Sequence, residues 1–424
     1  METYRPASAA EAAGILRDTT GTVLFRGGGT KMRWGGRAAV PDLVVETGGM
    51  NRLLTHEPAD MTASVEAGMT LDALQGQLAG SGQWLALDPP ARGGGATIGG
   101  LLATGDSGPR RLRYGALRDL VIGVTLVLAD GTVAHAGGHV IKNVAGYDLA
   151  KLSYGSLGTL GLIAEVVLRV HPRTDASATL VTGATAAEAT AGTLRLLAAP
   201  LEPVAVDWVG DRSGGRLAVR FEGSKAGVDA QTAGARDLLG SGDILVGPEE
   251  DALWRDFAAP GPAASGLRSG ATREDDVREA PGPARAEASA NSTAPPPARA
   301  EASANSTAFA GTLPSRLPEV VAALTAAGDG TGAQVRLASH AGLGLHTAYF
   351  DGDPPAQAAA FTRWRDAVRA IGGTVVLRDR PDGVDGAVDP LGPPPSSAPL
   401  LRALKARLDP EGRCGPGRLG GWLG

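Results

Sequence analysis

The chain has one cysteine, Cys414, among 424 residues. A single thiol excludes an internal disulfide, and it excludes zinc or iron–sulfur sites built from this chain's own cysteines. No stretch approaches the roughly 18 uninterrupted apolar residues of a membrane-crossing helix. The opening METYRPASAAEAAGILRD has neither the basic start nor the apolar run of a secretion signal. A long basic stripe is also missing and the formal net charge is −5, so no nucleic acid partner is expected. These absences predict a soluble protein of a reducing, cytoplasmic compartment.

Glycine is what the chain has in excess: 62 of 424 residues, against a usual share of roughly 7%. The excess is concentrated between residues 27 and 161, which suggests backbone packed closely against a ligand or against other backbone. Ser8 and Glu11 are spaced as a capping box before the first helix. Strands are predicted at 22–26, 42–47 and 63–68, the last alternating as a half-buried strand, with Thr70 capping a helix after it. Asp130-Gly131 marks a hairpin turn within a second unit. From about residue 176 glycine thins, and strands alternate with helices as in a covered α+β sheet. Residues 259–311 are rich in Ala, Pro, Ser and Gly and contain PARAEASANSTA twice, so a disordered insert is expected there.

The first glycine cluster, FRGGGTKMRWGG (25–36), follows a strand. A Rossmann loop needs G-x-G-x-x-G opening a helix, but Gly35, Gly36 and Pro41 leave no room for one. The Walker spacing G-x-x-x-x-G-K-S/T is absent as well. Consecutive glycines can still turn several N–H groups inward around an anion; a plain turn is the alternative. The second cluster, GGGATIGGLLATGDSG (93–108), and the third, GGHVIKNVAGYDLAKLSYGSLGTLGLIAEV (137–166), favour a ligand that stretches along the backbone.

In this order the three segments resemble the FAD-binding domain of the vanillyl-alcohol oxidase, or PCMH, type. That resemblance implies an α+β fold: a two-subdomain FAD-binding domain at 1–175 (about 1–88 and 89–175) and an α+β cap domain at 176–398. A C-terminal helix and tail at 399–424 would return to the FAD domain. It also implies that Gly27, Gly28, Gly29, Thr30 and Lys31 hold the pyrophosphate. Pro89, Thr97, Ile98, Gly99, Gly100, Thr104, Ser107, Gly108, Tyr114 and Gly115 would follow the flavin and ribityl chain. Gly158, Gly161 and Ile163 would lie toward the adenine, and Lys142 would face phosphate or solvent. Tyr147 and Asp148 read either as cofactor contacts or as anchors of their loop. Some members attach the flavin through His or Cys. Here His56, His135, His139 and Cys414 fall outside the matching positions, so non-covalent FAD is expected.

The tail LLRALKARLDPEGRCGPGR (400–418) is similar to that of flavoproteins oxidising D-2-hydroxy acids, and the whole chain is similar to the FAD-binding subunits of bacterial glycolate oxidase. The implied reaction is glycolate to glyoxylate, with a catalytic flavin subunit and an iron–sulfur subunit as partners and membrane association only through them. Catalytic relatives carry H-x-G-D-G-N-x-H and a later E-H-G. SHAGLGLHTAYF (339–350) keeps His340 and His346 as weak catalytic candidates but has Leu343 and Leu345 at the acidic and amide positions, so no metal site is expected. Two alternatives stay open: a non-catalytic assembly or electron-relay module, and a flavin reductase of the UDP-N-acetylenolpyruvoylglucosamine type, against which the tail speaks.

Overall fold

The computed structural model describes residues 1–90, 95–139, 148–258 and 305–423. Ser8 opens helix α1 (Ala9–Asp18) by accepting the Glu11 amide. Ala12, Ala13 and Leu16 of this helix share a core with three short parallel strands. These are β1 (Glu2–Tyr4), β2 (Val23–Arg26) and β3 (Leu43–Glu46), ordered β1-β3-β2.

A five-stranded antiparallel sheet follows: β4 (Leu53–Glu57), β5 (Thr62–Glu66), β6 (Val121–Val127), β7 (Val133–Gly137) and β8 (Leu162–Arg169), ordered β4-β5-β8-β6-β7. Strand β5 departs from the expected half-buried alternation, because every residue from Thr62 to Glu66 is buried. It lies between two neighbours, and Ala63 and Val65 pack on helices α2 (Leu71–Ala79) and α3 (Ile98–Thr104). The buried Glu66 carboxylate is held by Arg52, whose amide and Nη2 each donate at 2.8 Å. Thr70 and Thr97 cap α2 and α3.

The second half is one antiparallel sheet of eight strands. They are β9 (Ala176–Ala184), β10 (Ala205–Asp211), β11 (Gly214–Gly223), β12 (Asp243–Leu245), β13 (Ser306–Gly311), β14 (Gln334–His340), β15 (Leu345–Asp351) and β16 (Thr374–Leu377). Their order is β12-β9-β11-β10-β14-β15-β13-β16. Leu337, Ala348 and Phe350 on one face pack against helices α4 (Ala186–Ala198), α5 (Lys225–Leu239), α7 (Leu317–Asp329) and α8 (Pro354–Ala370). On the other face Val209, Ala218 and Ala338 pack on Leu253 and Phe257 of α6 (Gly247–Ala258). The rest of that face turns toward the N-terminal half.

The expected insert ends too late. Residues 259–304 lie outside the described residues, but 306–311 form β13, paired on both sides inside the sheet. Ser306, Ala308 and Ala310 are fully buried, and the Ser306 hydroxyl donates to Gln357 at 2.7 Å. The letters Ser-Thr-Ala that end both repeats carry no apolar pattern, so only the neighbouring strands β15 and β16 make this copy a strand.

The C-terminal helix α9 (Ala398–Leu408) leads into a tail threaded through the N-terminal half. Cys414 bridges Val23 in parallel, and the Arg413 guanidinium donates to the carbonyls of Leu16, Thr19, Gly21 and Ala129. No helix among the described residues is long and apolar enough to cross a membrane.

Candidate functional site: an FAD cleft and the sheet face beside it

Strand β2 delivers the loop Gly27–Met32 to a cleft. Gly27, Gly28, Gly29, Thr30, Lys31, Thr97, Gly99, Gly100, Thr104, Gly158, Gly161 and Ile163 line it together. Ile98 does not; it is fully buried in the α2–α3 core. Pro89, Ser107, Gly108, Tyr114 and Gly115 also stand outside the lining. A Cβ on Gly108 would come 1.8 Å from the Asp88 carbonyl oxygen, so that glycine serves backbone packing. Tyr114 meets Trp84 and His171 edge to face, and Gly115, with φ 83°, closes the 111–114 turn. Asp148 caps the short helix Leu149–Ser153, while Lys142 and Tyr147 lie outside the described residues. Sequence reading missed Thr47, Met32, Leu157 and Arg418, which are among the further residues that line the cleft.

The triple glycine has two physical causes. A Cβ on Gly28 would sit 1.7 Å from the Gly95 carbonyl oxygen, and one on Gly27 would sit 2.2 Å from Thr97 Oγ1. The two glycine clusters therefore lie backbone against backbone. In addition, the amides of Gly28, Gly29 and Thr30 find no hydrogen-bond acceptor among the described residues. Thr47 Oγ1 and Arg418 Nε, both in the lining, are buried without a partner. A row of unpaired donors at one end of a cleft is the donor set an anion such as a diphosphate needs. Lys31 differs: its Nζ lies 3.3 Å from the buried Asp106 carboxylate, which also stands 3.7 Å from Arg378. No His or Cys among the described residues lines the cleft. Cys414 sits in the N-terminal core, where burial, with Asp409 nearby, pushes its thiol up to about 12.

Outside the cleft lining a charged cluster joins the halves. Arg110 pairs with Glu222 of β11 at 2.7 Å and with Asp88 at 3.3 Å. Arg220 reaches Glu222 at 3.2 Å and Glu250 at 3.0 Å, and Glu250 accepts from Ser177 and Thr179 at 2.7 Å each. Burial pushes the Asp88 carboxyl up to about 6 despite Arg110.

His340 closes this row. Its Nδ1 lies 2.9 Å from Asp207 in the adjacent strand, and its Nε2 makes no hydrogen bond among the described residues. Burial opposes protonation, but the Asp207 carboxylate outweighs it and holds the imidazole above its ordinary value. His346 pairs in register with Ser339, one residue before His340, so alternation sends the two rings to opposite faces of the sheet. His346 is buried between Thr312 and Ser339, and burial, aided slightly by His340, pushes it down to about 3. The two histidines cannot share an ion, and His346 is a core residue; as a catalytic candidate it is withdrawn.

Residues 3–137 match the family described as FAD binding domain. These residues therefore form an FAD-binding domain. The likeness to curated proteins covers part of the chain. The chain is 35% identical to glycolate oxidase subunit GlcE of Escherichia coli (strain K12) over 192 residues, 45% of this chain and 53% of that one. It is 34% identical to glycolate oxidase subunit GlcD of Bacillus subtilis (strain 168) over 189 residues, 44% and 40%. It is 34% identical to D-lactate dehydrogenase of Archaeoglobus fulgidus (strain ATCC 49558 / DSM 4304 / JCM 9628 / NBRC 100126 / VC-16) over 172 residues, 40% and 38%. The chain thus spans about half the length, or less, of these curated relatives. The whole architecture recurs in alkyldihydroxyacetonephosphate synthase at 16% identity and TM-score 0.66, covering 98% of this chain and 76% of that one. It recurs in chitooligosaccharide oxidase at 14% and 0.64, covering 98% and 90%. These two likenesses concern fold alone.

Proposed function

We propose that this chain is a subunit of a glycolate oxidase type of complex that oxidises a small 2-hydroxy acid, glycolate being the first choice, with non-covalent FAD. When bound, FAD supplies the acceptor for the hydride on the substrate's α-carbon. The observation that carries the reading is the docking of the turn that holds Arg111 against the turn that follows His340. Gly342, in the turn after β14, packs on Leu112, where a Cβ would stand 3.2 Å from its side chain, so the 110–113 turn docks beside His340. The Arg111 charge acts on His340 and has no acidic partner among the described residues. A guanidinium for a carboxylate and an imidazole acceptor for the neighbouring hydroxyl are what a 2-hydroxy acid requires. Asp207 at Nδ1 fixes the ring, leaving Nε2 to take the hydroxyl proton as the carbonyl forms. The catalytic flavin subunit and iron–sulfur subunit belong to this proposal as partners.

The test is to purify the FAD-loaded chain, add glycolate or D-lactate without oxygen, and follow bleaching of the flavin's visible band. Bleaching that disappears in His340→Gln, with FAD retained, is expected. Because Asp207 keeps the imidazole protonated to higher pH, Asp207→Asn should move the acidic limb of the rate to lower pH while slowing bleaching. No bleaching by the chain alone, with turnover restored by partner subunits, would instead support the second reading, an assembly or electron-relay module. That reading is favoured by the separation of His340 from His346.

A further inference from the structure

The C-terminal tail supplies a lining residue for the FAD cleft, and that residue has no charge partner among the described residues. Arg418 is only 4% exposed and lies against the glycine loop, with Nη1 donating to the Met32 carbonyl. Its Nε is buried without a partner, and it makes no ion pair among the described residues. Burial, with Arg380 nearby, pulls the guanidinium down to about 10, the direction expected of a cation lacking its anion. The tail is held firmly in place: the Gly36 amide donates to the Arg418 carbonyl at 2.7 Å and the Ala39 amide to Pro416 at 3.1 Å. A Cβ on Gly35 would come 2.5 Å from the Arg418 carbonyl oxygen, and one on Gly36 would come 2.2 Å from that of Gly417. Loop and tail are thus one fitted unit. Lys31, the cation the sequence offers, is already matched by Asp106.

We propose that Arg418 is the fixed positive charge for the FAD diphosphate, so that the tail at 415–418 is a working wall of the cofactor site and the Lys31–Asp106 pair is part of its frame. An unpaired buried guanidinium costs the empty protein stability and is relieved only when an anion enters beside it. The unpaired amides of Gly28, Gly29 and Thr30 line the same cleft, so the anion meets both. This inference concerns cofactor binding and stands whichever substrate the flavin serves.

The experiment compares wild type, Arg418→Gln and Arg418→Lys as full chains stripped of flavin. It titrates FAD, ADP and riboflavin and records thermal unfolding with and without FAD. For Arg418→Gln we expect FAD and ADP affinity to fall at least tenfold and riboflavin affinity to change less than twofold. The empty variant should unfold at or above the wild-type temperature, while the FAD-induced rise shrinks. Arg418→Lys, which keeps the charge but loses the fork, should fall between the two. Two results would overturn the proposal: FAD affinity within twofold of wild type in Arg418→Gln, or a lower unfolding temperature of the empty variant with the FAD-induced rise intact. Should Arg418→Gln not fold, Arg418→Lys decides: unchanged FAD and ADP affinity there, with wild-type affinity insensitive to salt, overturns it equally.

Discussion

The cofactor cleft and the sheet face beside it solve recognition in opposite ways. The cleft is built from backbone: glycines that let loops touch and, among the described residues, amides without acceptors and the unmatched Arg418 guanidinium. The sheet face is built from long charged side chains that satisfy one another: Arg110 with Glu222 across the two halves and with Asp88 in its own, and Arg220 with Glu222 and Glu250. The difference teaches where each region is vulnerable. Added bulk should damage the first; a removed charge should damage the second.

The largest effect is expected from the charged side. Arg110→Ala leaves Glu222, 2% exposed, and Asp88 short of a counter-charge. Stripping one partner from a buried pair costs about 3–5 kcal/mol, and Arg220 beside Glu222 places this case at the low end. Denaturant unfolding of the flavin-free chain measures it. A loss under about 0.5 kcal/mol, the range of an ordinary surface substitution, would mean the halves do not depend on this cluster.

Gly28→Ala comes next and attacks the cleft. Its methyl group would meet the Gly95 carbonyl oxygen, which is backbone and cannot rotate away. Overpacking of this kind costs about 1–3 kcal/mol, and the protein should purify with little flavin because both glycine loops must shift. If Gly28→Ala keeps its FAD and its stability, close backbone contact is not the reason for that glycine.

The two regions are unequally legible in the sequence. Consecutive glycines after a strand leave a local trace, and the family resemblance they support names Gly27 to Lys31, Thr97, Gly99, Gly100 and Thr104, all of which line the cleft. It does not place Arg418, whose meaning depends on a tail that closes on a loop almost 400 residues earlier. The sheet face leaves even less trace. Asp207 is an isolated acid in an apolar strand, and only strand pairing brings it to His340. The same alternation separates His340 from His346, which spacing alone groups together. Strand β13 is hidden for a related reason: Ser306-Thr307-Ala308 carries no strand pattern of its own and is held by the strands beside it.

The smallest expected effect sharpens the glycine side. Gly76 lies exposed in α2, and a Cβ there would meet nothing within 4 Å. Its only consequence is the backbone freedom that an interior helical glycine forfeits on folding. Gly76→Ala should therefore stabilise the chain by up to about 1 kcal/mol and leave FAD affinity untouched. The contrast with Gly28→Ala carries the argument, since both replace glycine by alanine within the same half of the molecule. Opposite signs in unfolding, with FAD lost in one variant and kept in the other, tie the glycine requirement to contact at Gly28 and not to glycine content. Equal destabilisation by both would remove the contact explanation for the whole glycine-rich stretch.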